Sequence, residues 1–452
     1  MAEHAKLQVG FGKRDITPGL GTHLAGFGSS YLRACRGVLS PLYALTVAIT
    51  DEKNNTFILI VADLCCADAK VNQAIREKVK AAHGISPENV IVAGTHDHSS
   101  GSVSYPSPEN RAYKEQMEDA VVQSVGDALA DRAPATIAIG RTKTENLTFS
   151  RRYRRADGNF VGGGPVKWNV PSDAPIVDHE SPADEEIQMV RFVRETGKDI
   201  LLTNWQSHLC NIHMETTHPH HYMASADWAG VMRDTVEQEL GVHCIFIQGA
   251  AGNLGTFSRI EGELAIPDHY DFHAVGNAVA KYVIDACKDE TAFRKIEAGP
   301  LQMERSILTL EAREDLEIST DPYACNDPAV AEKIASGEQR RALSAPSKGT
   351  GKADAPKEIT EKEINAVGLG GLSFVTLPLE MFDANAKWLK DVTPFDMTLI
   401  LGYSCGSESY LAPEWAFDHG CYEVLFGRYK RGEAERIFTR YQDILTRMKQ
   451  EQ

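Results

Sequence analysis

Runs of apolar, often β-branched residues recur along the chain, separated by longer stretches in which apolar positions return every three to four residues. The runs YALTVAIT (43–50), TFILIVADL (56–64), NVIVAGT (89–95), TIAIG (136–140) and EIQMVRFV (186–193) are predicted strands. So are DILLTNWQS (199–207), HCIFIQGAA (243–251), INAVGLGGLSFVTLP (364–378) and MTLILGYS (397–404). Helical periodicity falls at about 68–82, 109–131, 227–240, 268–287, 380–391 and 431–449, with turn residues such as Ser86-Pro87-Glu88 between elements. This alternation predicts an α/β fold: layered, mixed β-sheets flanked by helices, with strands largely buried. Residues 156–184, which include GGGP and several prolines, read as a loop. GFGKRDITPG (10–19) reads as a tight turn. SAPSKGTGKADAPK (344–357) reads as a mobile insertion, and strands on both sides of it predict one large catalytic domain over 1–452.

Composition narrows the partners. The chain has 452 residues, with 47 basic against 63 acidic, a net charge of −16. An acidic surface argues against nucleic acid and anionic membranes as ligands. No run approaches the ~18 uninterrupted apolar residues of a membrane span. The first residues lack the apolar core of a secretory signal, and the nine cysteines show no paired spacing. Reduced thiols and a cytoplasmic location are therefore expected. A homo-oligomer is compatible with the sequence, which carries no signal for or against one.

Several strands end in titratable residues, and ligands of α/β folds gather beyond the carboxyl ends of strands. ILIVADL ends on Asp63, for which a strand-end cap is the plainer reading. VIVAGTHDH ends on His96 and His98, which would share a face if the chain stayed extended. LLTNWQSHLCNIH supplies His208 and His213, FVTLPLE supplies Glu380, and LILGYSCGSESY supplies Glu408 and Tyr410. Nitrogen and oxygen ligands leaving one open position are what a catalytic Zn2+ needs, and no Cys-x-x-Cys pair suggests a structural thiolate site. His218, His220 and His221, with His213, read as a solvated loop. FIQGAAGNLGTFS (246–258) is a strand followed by a glycine-rich turn. Through Gly252, Asn253, Gly255 and Thr256 it could present N–H groups to an oxyanion or phosphate, or it is simply a tight turn.

Taken in order, these segments resemble the neutral/alkaline (non-lysosomal) ceramidase family over most of the chain. VGFGKRDITPGLGTHLAGFG is similar to its N-terminal segment and GTHDHSSG to its Thr-His-Thr-His-Ser-Gly motif. NWQSHLC, GAAGNLGT and LPLE follow. In ESYLAPEWAFDHGCYE the tyrosines 410 and 422 lie twelve apart, as in the family. The resemblance implies one Zn2+ per chain, held by His96, His208, Glu380 and Tyr410. His98 and Tyr422 would hydrogen-bond the scissile carbonyl, and Arg151 would contribute from a central segment, with Arg152 close behind. Gly255 stands where the family has a serine, which removes that side chain from any mechanism and leaves attack by metal-activated water.

The expected function is therefore zinc-dependent hydrolysis of a C–N amide bond. The absence of an export signal and of a further C-terminal β-domain, together with the polar stretch SSGSVSYPSPENR, favours a small soluble amide over ceramide. Two alternatives stand beside this: a zinc-dependent ester, lactone or phosphoester hydrolase, and a catalytically silent binding protein that retains the fold.

Overall fold

The computed structural model describes residues 7–27, 33–163, 172–212, 217–289, 291–313, 360–406 and 409–452. The 344–357 segment, His213 and Glu408 lie outside the described residues. Nine described strands form the larger sheet: β1 Gln8–Asp15, β2 Tyr43–Thr50, β3 Thr56–Ala62, β4 Val90–Gly94, β5 Ala133–Lys143, β6 Glu186–Arg194, β7 Ile200–Trp205, β8 His243–Gln248 and β9 Phe293–Ile296. Their order is β8-β7-β6-β5-β1-β2-β3-β4, with β9 also on β5. The β3–β4 and β7–β8 pairs are parallel and the others antiparallel. A second sheet runs β10 Leu301–Leu310, β11 Thr360–Leu369, β12 Leu372–Thr376 and β13 Met397–Leu401, its last pair parallel. The helices are α1 Ala69–His83, α2 Pro108–Ala130, α3 Asp227–Leu240, α4 Phe272–Lys288, α5 Asp383–Val392, α6 Cys421–Phe426 and α7 Glu433–Gln450.

The period-two alternation explains the stacking. In β2 and β3, Leu45, Val47, Ile49, Phe57, Leu59 and Val61 face Val367, Phe374, Leu399 and Leu401 of the second sheet. The alternate residues Ala44, Ala48, Ile58 and Ile60 face Val71, Ile75, Val121 and Val125 of α1 and α2. α3 and α4 cover the other half of the larger sheet, and α5 and α7 the outer face of the smaller one. The layers are helix, sheet, sheet, helix. Each large aliphatic or aromatic side chain so enclosed contributes about 1.5–3 kcal/mol. α1 and α2 begin on Asp68 and Ser107, whose side chains accept from Val71 N and Asn110 N, and α1 ends on left-handed Gly84.

Several sequence expectations change. Within 156–184, Phe160–Val161 and Ile176–His179 are short strands paired with Tyr153–Arg155 rather than plain loop. GFGKRDITPG is no turn: Gln8–Asp15 is a full strand paired with β2. Its glycines are there for packing, since a Cβ on Gly10 or Gly12 would lie 2.1 Å from Ala128 O or 2.0 Å from Ser124 O in α2. The run 364–378 is two strands, β11 and β12, reversing at Gly370-Gly371, where Gly370 has φ +60°. The helix expected from 380 starts at Asp383, leaving Glu380 and Met381 paired in parallel with Tyr410 and Leu411.

The carboxyl ends of β4, β7, β8, β12 and β13 meet at one edge, where the sheets are hydrogen-bonded to each other. Gly402 N donates to Gln248 O at 2.8 Å and Gly94 N to Tyr403 O at 3.1 Å. The Asn204 amide of β7 donates to Ile247 O and Ile400 O, each at 3.0 Å, and accepts from Ile400 N. This junction gathers side chains distant in sequence.

Candidate functional site

β4 ends at Gly94, and the chain then turns rather than continuing straight. His96 takes a left-handed φ of +62°, a conformation costly for a residue with a Cβ and common at functional sites. It is held there by His96 N and Asp97 N donating to Leu64 O at 3.0 and 3.2 Å, and by His98 N donating to Leu209 O at 3.0 Å. The two histidines thus face each other by a turn, not by strand alternation, and their Nε2 atoms are 3.2 Å apart.

His208, three residues beyond β7, places its Nε2 3.2 Å from His96 Nε2. Glu380, beyond β12, brings Oε2 to 3.2 Å from His96 Nε2 and 3.5 Å from His208 Nε2. The tautomers follow from the far side of each ring. His96 Nδ1 lies 2.9 Å from Cys65 O and His208 Nδ1 2.9 Å from Leu254 O. A carbonyl only accepts, so each Nδ1 carries the proton and each Nε2 turns a lone pair inward. Two imidazole lone pairs 3.2 Å apart repel. A carboxylate oxygen joins them, and Glu380 Oε2 is buried without a hydrogen-bond partner. That donor set fits a divalent cation: neutral imidazoles, one carboxylate, and N–H groups tied to backbone carbonyls that fix ring orientation. His96, His208 and Glu380 offer ligand atoms all within 4.8 Å of one another; Cys65, His96 and His98 form a second such group.

Electrostatics favours the same state. Burial, helped by the Arg151 charge, pushes His208 down to about 3. Burial and the neighbouring His96 and His208 rings hold His98 well below the usual imidazole range. Metal ligation requires these same protonation states.

Tyr410 is the register partner of Glu380, so the phenol and the carboxylate leave adjacent strands side by side. Its oxygen accepts from Arg151 Nη2 at 3.0 Å, and burial and then Glu380 push the phenol well above its usual value. Tyr422, on α6, has its ring 5.4 Å from that of Tyr410. Burial pushes it up to about 12, so it keeps its proton at neutral pH. His98 packs edge-on against Phe27 at 5.0 Å, and its Nδ1 is buried without a partner.

The glycine-rich turn occupies the site's wall in a supporting role. Leu254 O orients His208, and Gly252 N donates to Met381 O at 2.8 Å. Asn253 exchanges hydrogen bonds with Asp383, and Thr256 with Asn211. Gly255 lies against the Phe257 ring, which a Cβ would approach to 2.8 Å. Asp63 is structural: it holds Arg233 in a buried two-pronged ion pair at 2.6 and 2.7 Å. His221 is buried rather than solvated, and its carbonyl accepts from Arg33.

The matching family model is "Neutral/alkaline non-lysosomal ceramidase, N-terminal", over residues 7–249, more than half of the chain. The chain belongs to the neutral/alkaline non-lysosomal ceramidase family. That match includes His96, His98, Arg151 and His208 and ends before Glu380, Tyr410 and Tyr422. The fold carries the likeness further. The neutral ceramidase of Pseudomonas aeruginosa superposes with a TM-score of 0.73 at 16% identity, over 99% of this chain and 75% of that one. A structure described as ceramidase complexed with C2 gives 0.73 at 17%, over 99% and 76%. No curated protein matches the chain. Membership of the ceramidase family implies a hydrolase. No described helix is long and apolar enough to cross a membrane.

Two groups at the site went unnoticed in the sequence. Tyr403 stacks on His96 with ring centroids 3.8 Å apart, its hydroxyl buried and without a partner. Glu423 accepts from Arg151 Nε at 2.9 Å. Tyr403 ends a predicted strand, as the ligand candidates do, and that was its only signal.

Proposed function

We propose that this ceramidase-family chain is a zinc-dependent hydrolase that cleaves the C–N amide bond of a small soluble substrate. The observation that carries the reading is the convergence of His96, His208 and Glu380 on one point, with both imidazole protons fixed on the far nitrogens. One zinc would be held by these three side chains and Tyr410. When bound, it supplies a Lewis acid and lowers the pKa of water toward ~7.

The remaining roles belong to the chain's own groups. Phe27 and the Leu209 carbonyl fix His98 beside the cluster, so its Nε2–H can donate to the oxygen of a scissile carbonyl as charge develops there. The Tyr422 hydroxyl, beside Tyr410, would donate to the same oxygen. Loss of one such donor costs about 10²–10³ in rate. The fixed Arg151 guanidinium sets the Tyr410 oxygen. Gly255 offers no nucleophile, and the Thr256 hydroxyl is committed to Asn211, so attack falls to water rather than to a side chain.

Metal-loaded protein assayed on matched amide, ester and phosphoester substrates tests this. Amide turnover that disappears with His96→Ala or His208→Ala, and falls about 10²–10³ with His98→Ala or Tyr422→Phe, is the expected result. Turnover of only the phosphoester, with micromolar inhibition by phosphate, would move the chain to a different bond. Full activity in chelated protein would end the zinc reading.

A further inference from the structure

Arg151 and Arg152 are consecutive, yet both guanidiniums turn inward and share one carboxylate. Glu423 Oε1 accepts from Arg151 Nε at 2.9 Å, and its Oε2 accepts from Arg152 Nη1 at 3.1 Å. Arg152 also forks onto Glu180, with Nη2 2.7 Å from Oε1, and donates to Gly420 O at 2.9 Å. The same Glu180 oxygen lies 2.7 Å from His419 Nδ1. The side chains of Glu423, Arg152 and Glu180 are fully buried and that of Arg151 nearly so.

Two cations and two anions cancel, so the cluster lends the site no net charge. Four buried charges are also a poor source of stability, because desolvation offsets most of their attraction. What the cluster does supply is direction. With Nε committed to Glu423, Arg151 Nη2 is aimed at Gly252 O at 2.9 Å and Tyr410 Oη at 3.0 Å. A phenol oxygen that accepts from a fixed guanidinium is held in place, on the strand that pairs with Glu380. Gly162 marks how tightly the cluster is enclosed, since a Cβ there would lie 2.9 Å from Cys421 Cβ.

We propose that Glu423 is a positioning residue of the metal centre, acting through Arg151 to hold the Tyr410 oxygen in place for the cation. This rests on the reading of Tyr410 as a ligand. It follows Tyr422 directly on α6, so one ion pair registers both tyrosines.

The test is a double-mutant cycle on the full chain loaded with zinc, reading the rate of metal loss to a competing chelator. The visible spectrum of the cobalt-substituted protein is recorded in parallel. Glu423→Gln should speed metal loss about tenfold, as removal of an outer partner of a ligand does, and Tyr410→Phe, which removes the ligand itself, at least as much. The double variant should lose metal no faster than Tyr410→Phe alone, and the cobalt spectrum of Glu423→Gln should shift toward that of Tyr410→Phe. Multiplying effects in the double variant, or a Glu423→Gln protein that holds cobalt as the wild type does, would overturn the proposal. If Glu423→Gln does not fold, Glu423→Asp takes its place in the cycle, keeping the charge but not the reach. A wild-type chain that takes up no divalent metal overturns the functional reading and this proposal together. Metal uptake with faster loss from Tyr410→Phe, but not from the Glu423 variants, overturns this proposal alone.

Discussion

Replacing His208 with glutamine separates the two claims made about that ring, that it is held neutral and that it binds metal. Glutamine keeps a donor for Leu254 O and cannot titrate. The ordinary imidazole value is 6.5, and burial pushes folded His208 down to about 3. At pH 7.5 neither the folded nor the unfolded ring is protonated, so the linkage is silent. At pH 5 the unfolded ring is protonated and the folded one is not, so the wild type loses about 2 kcal/mol of stability through this ring alone. The loss begins as pH falls through 6.5 and stops near the folded value. Unfolding entropy of about 2.1 cal/mol/K per residue turns this into roughly 2 °C for a chain of this length. Thermal melts of chelated protein at pH 7.5 and 5 should therefore show a smaller acid shift for His208→Gln than for the wild type, by about 2 °C. Zinc at about 1,000 times its dissociation constant should then raise the wild type by about 4 kcal/mol, near 4 °C, and the variant by 1 °C or less. Equal acid shifts in the two proteins would refute the neutral, buried ring. Equal stabilisation by zinc would remove His208 from the ligand set.

Other expectations follow from the same structure. Asp63→Asn leaves Arg233 buried and unpaired, and differential scanning calorimetry should register a loss of about 3–5 kcal/mol. Gly12→Ala forces a methyl group into the α2 backbone and should cost at least 1–3 kcal/mol in denaturant melts, whereas an alanine tolerated there would contradict the β1–α2 contact. Tyr403→Phe deletes a buried hydroxyl without a partner and should raise the melting temperature by about 1 °C with metal content unchanged. Tyr403→Ala removes the ring stacked on His96 and should lower metal content by elemental analysis.

The layered fold was legible because β2 and β3 alternate with two apolar faces, and because α1 and α3 carry clear helical periods. β1 was missed because glycines occupy positions that a strand usually fills with branched residues, and their reason lies in α2, over a hundred residues away. β11 and β12 merged into one run because Gly370-Gly371 interrupts no apolar pattern. His96, His208 and Glu380 stood out as polar residues just beyond buried strands, and their order along the chain pointed to the family. Their convergence was implied only by the resemblance and not by the residues themselves, since it depends on the hydrogen-bonded junction of two sheets. Glu423 acts only through ion pairing, which leaves no local mark, and Tyr403 had only its place near the end of a predicted strand.

The most direct measurement is anomalous diffraction at the zinc edge from crystals of metal-loaded protein. The account predicts one peak about 2.0–2.3 Å from His96 Nε2, His208 Nε2, a Glu380 carboxylate oxygen and Tyr410 Oη. A loaded crystal with no peak among these four atoms, or with its zinc held elsewhere, would contradict it.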